Sequence, residues 1–349
     1  MRLLLLLLLF STGALANSSL YERGKAYYQG EGVAQDFDKA FQAFDRSEKA
    51  GHLGAKNALA ILYLNGQGVR QDDQAAVHYL QEAAELGHAK SQYDLGSMYY
   101  LGIGVVRDLG QTVHWLKRAS EQNHADAQNN LAQLYEQGIG VKPSAALAHQ
   151  WRLRAADNGN GEAQYEVAKV YEKDQDYRRA FAWYQKALDN GYMPANKKLA
   201  AFYEQGLAVE SNPIEAFNAY LNAYQQGDKS LSLKLANLYE YGLGTEIDYR
   251  RAHQLYREAL EAGEISAYLP MAKHYREGLG VQKNLERAYN FTIAAARRGH
   301  PEAQLAVAKL YLSGDGVQRS EKKASYWLKK LAKTGNQEAK ALLKTLEKR

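Results

Sequence analysis

Nine tyrosines stand in register along this chain: Tyr27, Tyr63, Tyr99, Tyr135, Tyr171, Tyr203, Tyr239, Tyr275 and Tyr311. Each step is 36 residues, except for one of 32 between Tyr171 and Tyr203. A fixed period of this length means that each period is one supersecondary unit burying its apolar face against its neighbours. The 349 residues therefore read as one array, not as the two average domains that length alone suggests. Glycine follows three residues after every register tyrosine except Tyr171, where Asp174 takes its place. A second glycine comes two residues later in seven units: Gly32, Gly68, Gly104, Gly140, Gly244, Gly280 and Gly316.

The other slots complete a helical pair. Small residues eight before the tyrosine (Ala55, Ser91, Ala127, Ala163, Ala195, Ala267, Ala303) and Leu, Val or Met four before it lie on one stripe with the tyrosine. This is helix A, closed by the Gly-x-Gly turn, since glycine tolerates the left-handed C-cap conformation. Asp36, Asp72, Asp108, Ser144, Asp176, Asn212, Asp248, Asn284 and Ser320 share the next slot, the N-cap of helix B. Alanines and an aromatic slot (Tyr79, Trp115, Trp151, Trp183, Phe291, Trp327) follow, small residues for close approach and rings to fill between units. Pro194, Pro213 and Pro301 fall at helix starts, Pro143 in a turn. Pro270 lies deeper in its helix A and predicts a late start or distortion there.

The pattern Ala-x3-Leu-(Gly/Ala)-x2-Tyr-x2-Gly-x-Gly-Val-x2-Asp-x3-Ala-x2-Trp-x3-Ala resembles the Sel1-like repeat family. The likeness covers nine units from about 20 to 335, with a further helix at 337–349 capping the array. It implies an all-α fold, an α/α solenoid superhelix spanning 17–349, used as a binding scaffold. Relatives of the secreted bacterial type include exopolysaccharide export factors, periplasmic regulators of sensor kinases, flagellar motor accessories and host-interaction proteins, and a eukaryotic branch serves endoplasmic-reticulum quality control. The fifth unit departs from the pattern: it lacks the four-residue turn insertion and matches tetratricopeptide spacing through Ala168, Tyr171, Ala180, Tyr184 and Ala187. A bend or altered helix packing is expected near Asp174–Tyr177.

Residues 1–16 read as a signal peptide: Arg2, an apolar run from Leu3 to Phe10, and Ala14-Leu15-Ala16 as the cleavage site before Asn17. The apolar stretch is too short for the roughly 20 residues of a membrane span, and no later segment reads as one. A periplasmic or secreted location follows. The mature chain carries +4, too mild to argue for a nucleic acid partner.

Little in the chain suggests chemistry. Zero cysteines exclude disulfides, thiolate zinc, Fe–S clusters, a thiol nucleophile and a lipidated N-terminal cysteine. The family's cysteine-rich members have been associated with β-lactam chemistry, an inheritance that fails here. His52, His88, His124 and His300 share one slot, about one repeat apart and too far to share a metal. His274 replaces an apolar residue and reads as semi-buried. There is no H-E-x-x-H, G-x-S-x-G or P-loop, and Asn17 and Asn290 head glycosylation sequons that bear on a eukaryotic source alone. No metal, no cofactor and no enzymatic activity are expected.

A partner is expected instead, a protein of the cell envelope held as a peptide or helix. By analogy with tetratricopeptide units, helix A lines the concave face with positions six before, two before and one after the register tyrosine. The first gives Tyr21, Asn57, Tyr93, Asn129 and Tyr165; the last gives Tyr28, Tyr100 and the row Glu136, Glu172, Glu204 and Glu240. The rival reading has these tyrosines packing between adjacent A helices. The C-terminal stretch from Arg319 holds ten basic and three acidic residues. Its Lys322, Lys323, Lys329, Lys330 and Lys333 form a patch suited to an anionic polysaccharide or lipid surface, or simply to a solvated end of the array.

Overall fold

The structure, a computed structural model, describes residues 19–347. Residues 1–16, with the signal-peptide reading, lie outside them, as does Asn17. The described residues are helical, with no strand among them. The helices come in pairs: α1 (19–29) and α2 (Phe37–Lys49), α3 (Leu53–Asn65) and α4 (Asp73–Glu85), α5 (Ala89–Leu101) and α6 (Leu109–Glu121), α7 (Ala125–Gln137) and α8 (Ala145–Asp157), α9 (Gly161–Lys173) and α10 (Tyr177–Asp189). They continue with α11 (Ala195–Gln205) and α12 (Pro213–Gln225), α13 (Ser232–Tyr241) and α14 (Tyr249–Glu261), α15 (Tyr268–Glu277) and α16 (Leu285–Arg297), α17 (Pro301–Ser313) and α18 (Glu321–Ala332), and end on α19 (Gln337–Glu347). Each odd helix up to α17 is the A helix of a repeat. The chain groups into two compact units, Met1–Tyr192 and Met193–Arg349. The first holds the pairs α1 to α10, the second the pairs from α11 onward with α19 packed on α18.

Every one of the nine N-cap residues named from sequence caps helix B, its side chain accepting from a backbone N–H in the first turn. The same residue also donates its own N–H to the carbonyl of the register tyrosine, at 2.7–3.0 Å in all nine units. That carbonyl belongs to the last turn of helix A, where no intrahelical partner exists. In the fifth unit the shorter turn reaches the same bond differently. Gln175 takes a left-handed φ of 62°, and Asp176 N–H still bonds Tyr171 at 2.9 Å.

The slot of His52, His88 and His124 caps helix A. Each imidazole Nδ1 accepts from the backbone N–H three residues on, at 3.2–3.3 Å, and Asn160 and Asn336 do the same with their side-chain oxygen. Where the slot holds Asp228 or Glu264 the cap is lost: Asp228 bonds Ser230 two residues on, and Glu264 makes no cap bond. Both helices then open with a 3-10 turn, Lys229–Leu231 and Ile265–Ala267, before α13 and α15. The late start expected near Pro270 is present, and it has a twin before α13, which contains no proline, so Pro270 alone does not account for it.

The core is built from alanines without exposure, among them Ala40, Ala76, Ala119, Ala187 and Ala252, with leucines and rings between them. Buried glutamines, not anticipated from the repeat, fasten helix A to the end of the preceding helix B. Gln92, Gln128, Gln164 and Gln304 donate to the carbonyls of Ala84, Ser120, Ala156 and Ala296 at 2.9–3.2 Å.

The second turn glycine does more than end a helix. A Cβ on Gly68 would lie 2.3 Å from the Phe37 carbonyl oxygen, and one on Gly244 would lie 1.9 Å from that of Pro213. The loop therefore rests directly on the first turn of the preceding helix B. Gly87, also at positive φ, has open space instead. Gly87→Ala should cost about 1–2 kcal/mol, the left-handed penalty alone. Gly244→Ala should cost a further ~1–3 kcal/mol from backbone overlap. Denaturant midpoints of the two variants check this, and equal losses would refute the loop contact.

Candidate functional site

The helix-A side of the first compact unit carries a cleft of about 270 Å³ between α5 and α7. Leu116 and Thr112 of α6 form its floor; Ser97 and Tyr100 of α5 face Asn130, Gln133 and Gln137 of α7. Its walls carry no charge. Among the described residues Asn130 and Gln137 make no side-chain hydrogen bond. The rim is apolar and open at Leu101, which is 63% exposed. The second unit repeats the cleft in the same slots, at about 370 Å³, between α15 and α17. There Arg276 and Lys309 stand in the slots of Tyr100 and Gln133, with Lys283 and Asp315 also in the lining; Arg276 pairs with Glu277 and Lys309 with Glu338.

Each glutamate of the row bonds a helix-B side chain, although Glu136 and Glu204 remain exposed. Glu136 binds Arg152 at 2.6 Å, Glu172 accepts from the Tyr184 hydroxyl at 2.5 Å, and Glu204 from Tyr220 at 2.9 Å. Glu204 also pairs with Lys234 of the next unit. Burial, with the carboxylate beside each, raises the phenol pKa values of Tyr184 and Tyr220 well above the ordinary 10. These phenols stay protonated and act as donors. The signal was in the sequence, since a hydrogen-bond donor stands 16 residues after three of these glutamates and 12 after the one in the short unit. In the units with Leu64 or Leu312 in the same slot, the residue 16 on is Leu80 or Leu328.

The expected exposure is corrected at Asn57, Asn129 and Glu240, which are buried. The two amides turn sideways along the array, Asn57 donating to Asp94 at 2.7 Å and Asn129 to Glu162 at 2.8 Å. Tyr21 and Tyr93 stack on His52 and His124, the helix-A caps of the following units, with ring centroids 4.2 and 4.7 Å apart. Tyr165 packs on Tyr184 and Tyr192. Tyr28 is half-buried, edge-on to Phe37. Tyr21 and Tyr93 thus reach the next unit, while Tyr28 and Tyr165 pack on helix B of their own units. Tyr100 alone among the named residues lines the open cleft. The five lysines from Lys322 to Lys333 are all exposed on α18 or at its end.

Glu240 centres a buried polar cluster in the second unit. It accepts from Tyr256 at 2.5 Å and Lys273 at 2.7 Å, with His274 Nε2 3.4 Å away. Burial pushes Glu240 up, yet bonds from Lys273 and Tyr256 bring it below the ordinary carboxylate value. His274 is fully buried, with Tyr249 and Tyr256 edge-on to its ring and His253 stacked on it at 5.6 Å. No group of three metal-ligating side chains suited to an ion occurs among the described residues. Glu240 and His274 are buried, while the Lys273 side chain is 36% exposed and His253 is half-buried.

A family model described as the Sel1 repeat matches residues 17–52, 54–88, 89–124, 125–160, 161–192, 194–228, 232–264, 266–300 and 301–336. Among solved structures, c5321, a protective antigen of uropathogenic Escherichia coli displaying an SLR fold, matches with a TM-score of 0.51 and 26% identity over 95% of this chain and 80% of that one. A Sel1 repeat protein from Oxalobacter formigenes gives 0.47 and 27% over 87% and 89%. The immunity protein Pa5087 from Pseudomonas aeruginosa gives 0.44 and 20% over 60% and 81%. Comparison with curated proteins finds no match.

The histidines predict an acid limit to stability. Burial holds His253 down to about 4 and lowers His274, His88 and His124, so the native imidazoles are neutral. The unfolded chain takes up these protons near the ordinary value of about 6.5. Their contribution is therefore complete above that pH and is lost as pH falls through the lowered native values. Glu240, also lowered, acts in the same direction below the carboxylate range. The thermal midpoint should be flat from about pH 8 to 7 and decline below about 6.5. His253→Phe should make the decline shallower, and an unchanged slope would remove His253 from the account.

Proposed function

The chain belongs to the Sel1 repeat family, and we propose that it is an exported, non-enzymatic scaffold of the cell envelope that holds a segment of a protein partner in the cleft over α6. Proteins of this family generally mediate protein–protein interaction, and the family is typically non-catalytic. Among the described residues no helix is long and apolar enough to cross a membrane. The export reading rests on the sequence of residues 1–16.

The observation that carries the partner reading is the pairing of unused amides with an open apolar rim. Asn130 and Gln137 can bond the backbone of an extended segment, donor to carbonyl and carbonyl to N–H. Leu101, Tyr100 and the cleft floor then take an apolar side chain. A tyrosine supplies rigid contact area with a polar end, the composition of many interface anchors. The committed glutamates place no free charge at this site, so the favoured segment is uncharged.

Panning a random peptide library against the full chain tests this. Peptides with an apolar residue between neutral polar ones should be enriched. Tyr100→Ala combined with Gln137→Ala should weaken them by roughly tenfold or more, the scale of an interface hot spot. Tyr93→Ala should weaken them less, because its ring is already occupied by His124. Selected peptides that bind the Tyr100 and Gln137 variant as well as the parent would overturn the cleft as the binding site.

A further inference from the structure

We propose that the outer face of α18 docks on an anionic lipid bilayer. Lys322, Tyr326, Lys329 and Lys333 follow one another at helical spacing on one stripe, and Lys323 and Lys330 flank it. Tyr326 is 61% exposed and stands in the middle of the five lysines. Among the described residues none of these ammonium groups has a carboxylate within ion-pair distance. Lys323 and Lys330 lie over the Tyr311 and Trp327 rings at 5.4 Å, while Lys322, Lys329 and Lys333 are exposed and, among the described residues, make no ion pair, side-chain hydrogen bond or ring contact.

The repeat makes this face an exception. The slot of Lys333 carries an acid in five earlier units, at Glu85, Glu121, Asp157, Asp189 and Glu261, and a base in two, Arg297 and Lys49, the latter paired with Asp45. The slot of Tyr326 holds a tyrosine in no other unit. Capping the array requires only a polar face, which the mixed charges of the earlier helices would already supply.

The choice of lysine and tyrosine selects the partner. Lysine is a flexible point charge, suited to a laterally mobile layer of headgroups rather than to bidentate reading of one fixed anion. A tyrosine between them places an amphipathic ring at headgroup depth, with the lysine stems lying along the apolar boundary. An acidic polysaccharide would instead call for directional donors and acceptors lining a groove, and this face is the convex side of a helix. The proposal stands on α18 alone and is independent of the cleft over α6.

Sedimentation of the full chain with vesicles tests it. Binding is expected to phosphatidylglycerol–phosphatidylcholine vesicles and not to phosphatidylcholine alone. It should vanish at about 1 M salt, where screening acts within about 3 Å. Lys322→Gln, Lys329→Gln and Lys333→Gln together should lower the partition coefficient roughly 100-fold, at about one kcal/mol per lysine. Replacing the same three by Arg should preserve it. The glutamine variant should keep the parent's thermal midpoint, since the three side chains are exposed and make no ion pair or side-chain hydrogen bond among the described residues. Absence of binding to the anionic vesicles, equal binding by the glutamine variant, or binding to an alginate-type polymer in place of the vesicles would overturn the proposal.

Discussion

One backbone hydrogen bond sets the geometry of every unit: the N–H of the helix-B cap residue donating to the carbonyl of the register tyrosine. It joins the end of one helix to the start of the next, so it fixes where helix B begins relative to helix A. The cap side chain then satisfies a donor of helix B's first turn, and the turn glycine adopts the conformation that lets the chain return. Because the bond lies between main-chain atoms, it survives exchange of Asp for Ser or Asn. It also survives the loss of four residues in the fifth unit, where Gln175 provides the left-handed residue in place of glycine. The repeat can therefore vary its side chains widely while keeping its helix pairs.

The parts of the fold visible in sequence are those that reside in one slot. Asp72 or Asn284 caps a helix through its own side chain, so residue type and position sufficed to place it. The contacts that join different units were not visible. Gly68 reads as a helix terminator, and only the folded chain brings it against Phe37, thirty-one residues earlier. His88 reads as a repeated histidine, while its capping role depends on an Nδ1 aimed at its own first turn. The same limit applies to the site. Asn57 and Asn129 occupy positions expected to face a partner, but acids on the next A helix draw them sideways into the interface.

The glutamate row shows how a repeat hides its charge. A carboxylate row on exposed helix faces would repel itself and invite a basic partner. Here each carboxylate is answered within its own unit, by Arg152 or by a tyrosine hydroxyl. Bonds of this kind to a charged acceptor contribute about 1.5–3 kcal/mol each. Their net value is smaller where desolvation is deep, as at Glu240. Two slots that pair acid with donor in some units and leucine with leucine in others act as one structural element. That coupling, rather than the identity of either residue, is what the period carries.

Surfaces left for partners are then the places where a slot departs from its structural partner. The two clefts occupy equivalent positions, yet one is walled by amides and the other carries Arg276 and Lys309, each paired with an acid, beside Lys283 and Asp315. Backbone geometry supplies the hollow in both, and a few side chains decide what it can hold. The amide-walled cleft keeps polar groups unspent and adds exposed Leu101, so occupying it would cover apolar surface and satisfy those groups together. The cationic cleft would first have to break its ion pairs. The proposed recognition site therefore falls in the third and fourth repeats, where Asn130 and Gln137 keep their side-chain amides unbonded among the described residues.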